Sequence, residues 1–176
     1  MSNQRTPNPN SSDPSSFDFQ QLAQGALDAA NTCFSDLQRR DDEFAAGHRE
    51  GQGTFMVIPT VFLYFRAIEL SLKAAIRENG LATLNEIRSR TLGHNLTALL
   101  QRATTGAGAY TCAELGVDQD AQDFIGEWSD DYATKWFEYH FGPWGIPNPQ
   151  RCQEVATAIV EAIRSIATSI ELPEVS

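Results

Sequence analysis

The chain has 176 residues, 41% of them hydrophobic, and a formal net charge of −10. That is one domain's length with enough apolar material for a core, and the charge disfavours tight nonspecific binding to nucleic acid. No apolar run reaches the roughly 18 residues of a membrane helix, and three scattered cysteines (Cys33, Cys112, Cys152) exclude a disulfide scaffold and a four-cysteine zinc site. His48, His94 and His140 are equally scattered, so no metal or cofactor is expected. The polar opening lacks a secretory pattern, which predicts a cytoplasmic protein with no membrane contact.

Residues 1–16 hold five Ser, three Asn and three Pro, with no apolar residue after Met1. Such a segment buries too little to offset its ordering entropy, so a disordered tail is expected. The globular domain is expected over residues 17–171, and residues 172–176 as a frayed end. The first helix starts near Ser16 or Phe17. Its stripe is Phe19, Leu22, Ala26, Ala29 or Ala30, Cys33, Phe34 and Leu37, in steps of three and four. The stripe fades over Arg39–Gly53, where charges and Gly47, Gly51 and Gly53 predict a loop. The second helix follows Pro59 and runs to Asn79-Gly80, with Gly80 suited to the position just past its end. Its stripe of Val61, Tyr64 or Phe65, Ile68, Leu72 and Ala75 or Ile76 makes it the most apolar helix and places it centrally.

A short helix is predicted over Leu84–Arg88. The third main helix begins at His94 or Asn95 and buries Leu96, Leu99, Leu100 and Ala103. Glycines mark Thr104–Gly116 as a loop. The fourth helix is predicted from Asp118 to His140, with acids favouring its N-terminus. Pro and Gly break Phe141–Pro149. The last helix runs from Pro149 to Ile170 on Val155, Ile159, Ala162 or Ile163, Ile166 and Ile170. The pattern predicts an all-α protein, an up-and-down bundle of about five helices.

Four features carry chemistry. Glu69 and Lys73 stand i,i+4 on the second helix, acid first. On a wet surface such a pair is worth roughly 0.2–0.5 kcal/mol. Within so apolar a helix it is partly buried, which marks a specific role. His94, in Leu92-Gly93-His94-Asn95-Leu96, is placed to cap a helix or to bond a carboxylate, with Glu69 as candidate. Phe124, Trp128, Tyr132 and Trp136 follow four-residue steps, where core packing or a dimer interface outweighs base stacking. The same helix is strongly acidic, and its plain reading is a solvated face. Adjacent Asp130 and Asp131 point apart, which argues against a metal site. Lys135 and His140 would sit near one end of this helix. An imidazole that moves the ribose 2′-hydroxyl proton and a cation that holds the phosphate are what phosphodiester cleavage needs. The plain alternative is two unrelated polar residues ending a helix.

Two stretches together resemble a HEPN domain. Ala67-Ile-Glu69-Leu-Ser-Leu-Lys73-Ala-Ala-Ile is similar to the family's second main helix. Leu92-Gly93-His94-Asn95-Leu96-Thr-Ala-Leu-Leu100 is similar to the Gly-His-Asp-Leu start of the next, with Asn95 in place of Asp. Tyr132–Phe141 occupies the place of the family's Tyr and Arg-Tyr pair. The resemblance spans about Phe17 to Ile170 and is concentrated in residues 67–100. It implies a helical bundle, often a homodimer. Many HEPN proteins are metal-independent ribonucleases of toxin–antitoxin, phage-defence or RNA-processing systems, with a signature of Arg, four to six residues, then His. Lys135-x4-His140 has that spacing, but Lys lacks the planar two-pronged phosphate contact of Arg. Arg88-x5-His94 fits the spacing literally, whereas His94 matches the family's structural Gly-His stretch. Other HEPN domains are non-catalytic partners, for example beside nucleotidyltransferases.

The expectation is therefore a non-catalytic, homodimeric binding module with a polar cluster of Glu69, Lys73, His94 and Tyr132. Its partner would be a nucleotidyltransferase, a toxin or an antitoxin. The rival is an RNA-cleaving enzyme using His140 with Lys135, or less readily His94 with Arg88. A third option is an antitoxin-like partner whose acidic fourth helix mimics nucleic acid.

Overall fold

The computed structural model describes residues 13–48, 56–89, 91–135 and 145–170. Among these it is all-helical: α1 (Ser16–Ala45), α2 (Val57–Glu78), α3 (Leu84–Ile87), α4 (Leu96–Thr104), α5 (Gln119–Ala133) and α6 (Pro149–Ile170). None of these helices is long and apolar enough to cross a membrane.

The other helices gather around α2. Every residue from Ala67 to Ile76 is buried, as are Thr60, Val61, Tyr64 and Phe65. A helix covered on all sides is a core helix, as its composition predicts. α1 and α6 pack on α2 and on each other, α4 packs on α2, and α5 on α4. Phe65 of α2 stacks on Phe124 of α5 at 5.9 Å, with the rings 12° apart. One continuous core runs from Phe19 to Ile163. Across α1, α2 and α6, Asn31 Oδ1 accepts from the Tyr64 hydroxyl at 2.9 Å and the Gln153 amide at 2.8 Å.

α1 begins with a reciprocal cap, Ser15 against Asp18. α1 thus begins at Ser16, where the first helix is expected, and takes in the last residue of the segment expected to be a tail; residues 1–12 lie outside the described residues, as do 171–176. α1 also continues through the charged stretch expected to be a loop, as far as Ala45. Asp36 pairs with Arg39 and Arg40, and Arg39 with Glu43, at helical spacings that sustain the helix after its apolar stripe ends. Gly47, at φ 73°, closes it: its N–H bonds the Phe44 carbonyl and that of His48 the Glu43 carbonyl.

α4 starts at Leu96 behind the Asn95 cap and buries Leu96, Leu99, Leu100 and Ala103. α5 starts behind the Asp118 cap and stops at Ala133. The predicted continuation to His140 is corrected: Lys135 has φ 59°, which breaks the helical path. Asp130 and Asp131 in the last turn, with no basic residue there, oppose the helix dipole and weaken this end.

Candidate functional site

α2 positions Glu69 among apolar residues, and its side chain is 0% exposed. Such a charge needs partners on every lone pair. Oε1 accepts from Lys73 Nζ and from Arg66 Nη1, both at 2.5 Å. Oε2 accepts from the Tyr132 hydroxyl at 2.5 Å and lies 3.1 Å from His94 Nδ1. Burial pushes the Glu69 carboxyl up, but the Lys73 and Arg66 charges and the hydrogen bonds outweigh it and hold the group below the usual range. It is therefore an anion at neutral pH. Burial and the Glu69 charge both push the Tyr132 phenol up, so it remains a donor. Burial opposes the charge on Arg66, and Glu69 more than restores it.

Lys73 reaches further. Its Nζ also donates to the Gly93 carbonyl at 2.6 Å. The α3–α4 connection folds to present that oxygen: the Gly93 N–H bonds the Ser89 carbonyl at 2.7 Å. A Cβ at residue 93 would lie 2.8 Å from the Ser89 carbonyl oxygen, so any larger residue must displace that backbone. Beside it, Asn95 Oδ1 accepts from the Ala98 N–H at 2.8 Å and the Ser129 hydroxyl at 3.2 Å. Ser129 in turn takes the Thr97 N–H at 3.1 Å. The first amides of α4 are thereby satisfied by two elements.

Exposure divides the cluster. Glu69, Lys73 and Tyr132 are buried, while the side chains of Arg66 and His94 are 37% and 52% exposed. The His94 ring meets Tyr132 edge-on, at 6.3 Å and 80°. An Nδ1–H given to Glu69 leaves Nε2 as the ring's acceptor. Of the titratable groups in the cluster, His94 is the one placed to exchange a proton with an outside molecule.

The structure brings together Glu69, Lys73, His94 and Tyr132, which were singled out from sequence. Arg66 was missed, although it lies three residues before Glu69 on the same helix. Ser129 was missed too, since a serine mid-helix announces nothing. Lys135 lies beyond the end of α5, while His140 and Trp136 are outside the described residues. Arg88 follows α3, and among the described residues no hydrogen bond joins it to His94. In the aromatic stripe, Phe124 and Tyr132 are buried, and Tyr132 packs on Phe62 and Phe65 at 5.8 and 5.6 Å. Among the described residues no group of His, Cys, Asp and Glu is arranged to hold a metal. Cys152 is buried, and burial pushes its thiol up to about 12.

No family model, curated protein or solved structure matches the chain.

Proposed function

We propose that the chain is a HEPN-like helical protein that acts in the cytoplasm by binding, as an accessory or partner module. The observation that carries this reading is the closure of the Glu69 cluster. The Glu and Lys that underlie the resemblance bond each other in the core, and Lys73 is only 8% exposed at its side chain. They hold helices together, and burial shields both side chains from a substrate. Lys135, in place of the family's Arg and past the end of α5, is a poor phosphate clamp. In this reading the chain forms a homodimer and serves a nucleotidyltransferase, a toxin or an antitoxin in a defence setting. The test is RNA cleavage by purified protein in EDTA, on several RNAs at high protein concentration. No cleavage is expected; cleavage overturns the binding-module reading. Light scattering at micromolar protein checks the dimer, and a monomer removes that part.

One observation favours a second reading, a metal-independent ribonuclease. A buried carboxylate orients the half-exposed His94 through Nδ1, an arrangement suited to proton transfer at Nε2. If RNA is cut, loss of activity in His94→Ala locates the reaction here. Loss in His140→Ala instead returns it to the Lys135–His140 pair.

A further inference from the structure

The Glu69 cluster is closed on one side and open on the other. On the closed side Lys73 Nζ bonds Glu69 Oε1, and both side chains are buried. One negative charge is thereby matched by one positive charge. Arg66 adds a second cation to the same oxygen from the open side, where its side chain is 37% exposed. In a chain of net charge −10, this end of the cluster carries a surplus positive charge.

Arg66 and His94 are both aimed by that carboxylate. Arg66 Nη1 donates to Oε1, and His94 Nδ1 lies 3.1 Å from Oε2. The guanidinium also faces the Tyr132 oxygen, which bonds Oε2 in turn. Two solvent-reaching heads thus stand side by side over one buried anion on the central helix, and their orientation is set before any ligand arrives. What they present is complementary. A guanidinium has five N–H donors, more than Glu69 and Tyr132 accept from it. The ring, with its Nδ1–H given to Glu69, presents Nε2 as an acceptor. Donors beside an acceptor fit an anion that keeps one acidic hydroxyl.

We infer that Arg66 and His94 together bind free hydrogenphosphate. Its unprotonated oxygens accept from the Arg66 guanidinium, whose fork matches them. Its P–OH donates to His94 Nε2. Sulfate has the same shape and the same charge but no proton to give, and would set an oxygen lone pair against that of Nε2. The dianion of a phosphate ester lacks the hydroxyl for the same reason. The inference rests on the His94 orientation used in the second reading above, and it requires no cleavage of RNA.

The test titrates the full chain with hydrogenphosphate, sulfate and methyl phosphate at one mildly alkaline pH, with ionic strength held by chloride. The readouts are the imidazole nitrogen resonances of His94 and the Nε–Hε resonance of Arg66. Hydrogenphosphate is expected to shift both and to bind about three- to tenfold tighter than the other two anions, the worth of one neutral hydrogen bond. His94→Ala, read at Arg66, should bring hydrogenphosphate and sulfate to parity. Arg66→Gln, read at His94, should weaken hydrogenphosphate, whereas Arg164→Gln on α6 should not. The comparison of anions on the unaltered chain decides the matter if a variant fails to fold. Unmoved resonances, equal affinity for hydrogenphosphate and sulfate, methyl phosphate bound as tightly as hydrogenphosphate, or a preference that survives His94→Ala would each overturn the inference. RNA cleavage without phosphate binding would overturn it while leaving the second reading in place, and phosphate binding without cleavage would uphold it beside the binding-module reading.

Discussion

Lys73→Met removes one ammonium and keeps most of the side chain's volume. The lysine holds two buried acceptors, Glu69 Oε1 at 2.5 Å and the Gly93 carbonyl at 2.6 Å. Breaking a buried pair by removing one partner costs about 3–5 kcal/mol, because the other charge stays behind. Arg66 and Tyr132 remain on Glu69 and pull the figure towards the lower end. The orphaned Gly93 carbonyl pulls it back up. For a chain of this size, about 3–5 kcal/mol corresponds to a fall in Tm of about 6–20 °C. Urea unfolding of wild type and variant gives the free energy directly, provided the slopes agree. The double variant Glu69→Gln/Lys73→Met should lose less than the sum of the single losses, because neither charge of the pair is left behind without the other. A cost under about 1 kcal/mol for Lys73→Met, the range of exposed ion pairs, refutes the reasoning.

Further predictions concern the same cluster and the helices around it. Glu69 is held below its ordinary value of 4.5, so its contribution is full above that pH and is lost as pH falls through the lower folded value. Asp18, Asp36, Glu86 and Glu114 are shifted the same way, so the comparison that isolates Glu69 is wild type against Glu69→Gln. The acid limb of stability against pH should be shallower in the variant, and equal limbs contradict an ionised Glu69. Tyr132→Phe keeps the ring on Phe62 and Phe65 but removes a bond to a charged group, which should cost about 1.5–3 kcal/mol in urea unfolding. Gly93→Ala forces the Ser89 carbonyl and the oxygen held by Lys73 to shift, and should cost about 1–3 kcal/mol by the same measurement. Gly25→Ala and Gly126→Ala meet nothing within 4 Å on helices, so each should raise stability by about 0.5–1 kcal/mol. A loss at either site would mean that its helix is not formed as described.

What could be read from the sequence was local. The buried face of α4, Leu96, Leu99, Leu100 and Ala103, follows from spacing alone. The end of α2 follows from Asn79-Gly80, because Gly80 adopts φ 62° just past the helix. Two helix ends were misjudged for opposite reasons. α1 loses its apolar stripe but keeps charges at helical spacing, and these sustain it to Ala45. α5 has no glycine or proline to announce its stop, and Lys135 takes the left-handed conformation that glycine usually signals. Glu69 with Lys73 was legible from i,i+4 spacing. Tyr132, 63 residues from Glu69, was visible only as an aromatic on a stripe, and its bond to the carboxylate depends on how α5 docks.

That docking gives the cluster its meaning in the fold. A buried ion pair contributes little net stability compared with well-packed apolar residues. Its effect here is to penalise alternatives. Tyr132 fixes α5 against α2, and the Gly93 carbonyl with His94 fixes the start of α4 against α2. Rotating α5 by one residue, or sliding α4 by one, leaves Glu69 or Lys73 buried and incompletely paired. The leucine and isoleucine contacts alone would tolerate such slips at much lower cost. The penalty also restricts function, because a group committed to register is not available to a substrate. Among the described members of the cluster, Arg66 and His94 are the ones that reach solvent, so a reaction or contact at the cluster itself passes through those two side chains. Substitution of His94 therefore probes chemistry here with less risk to the fold than substitution of Glu69 or Lys73.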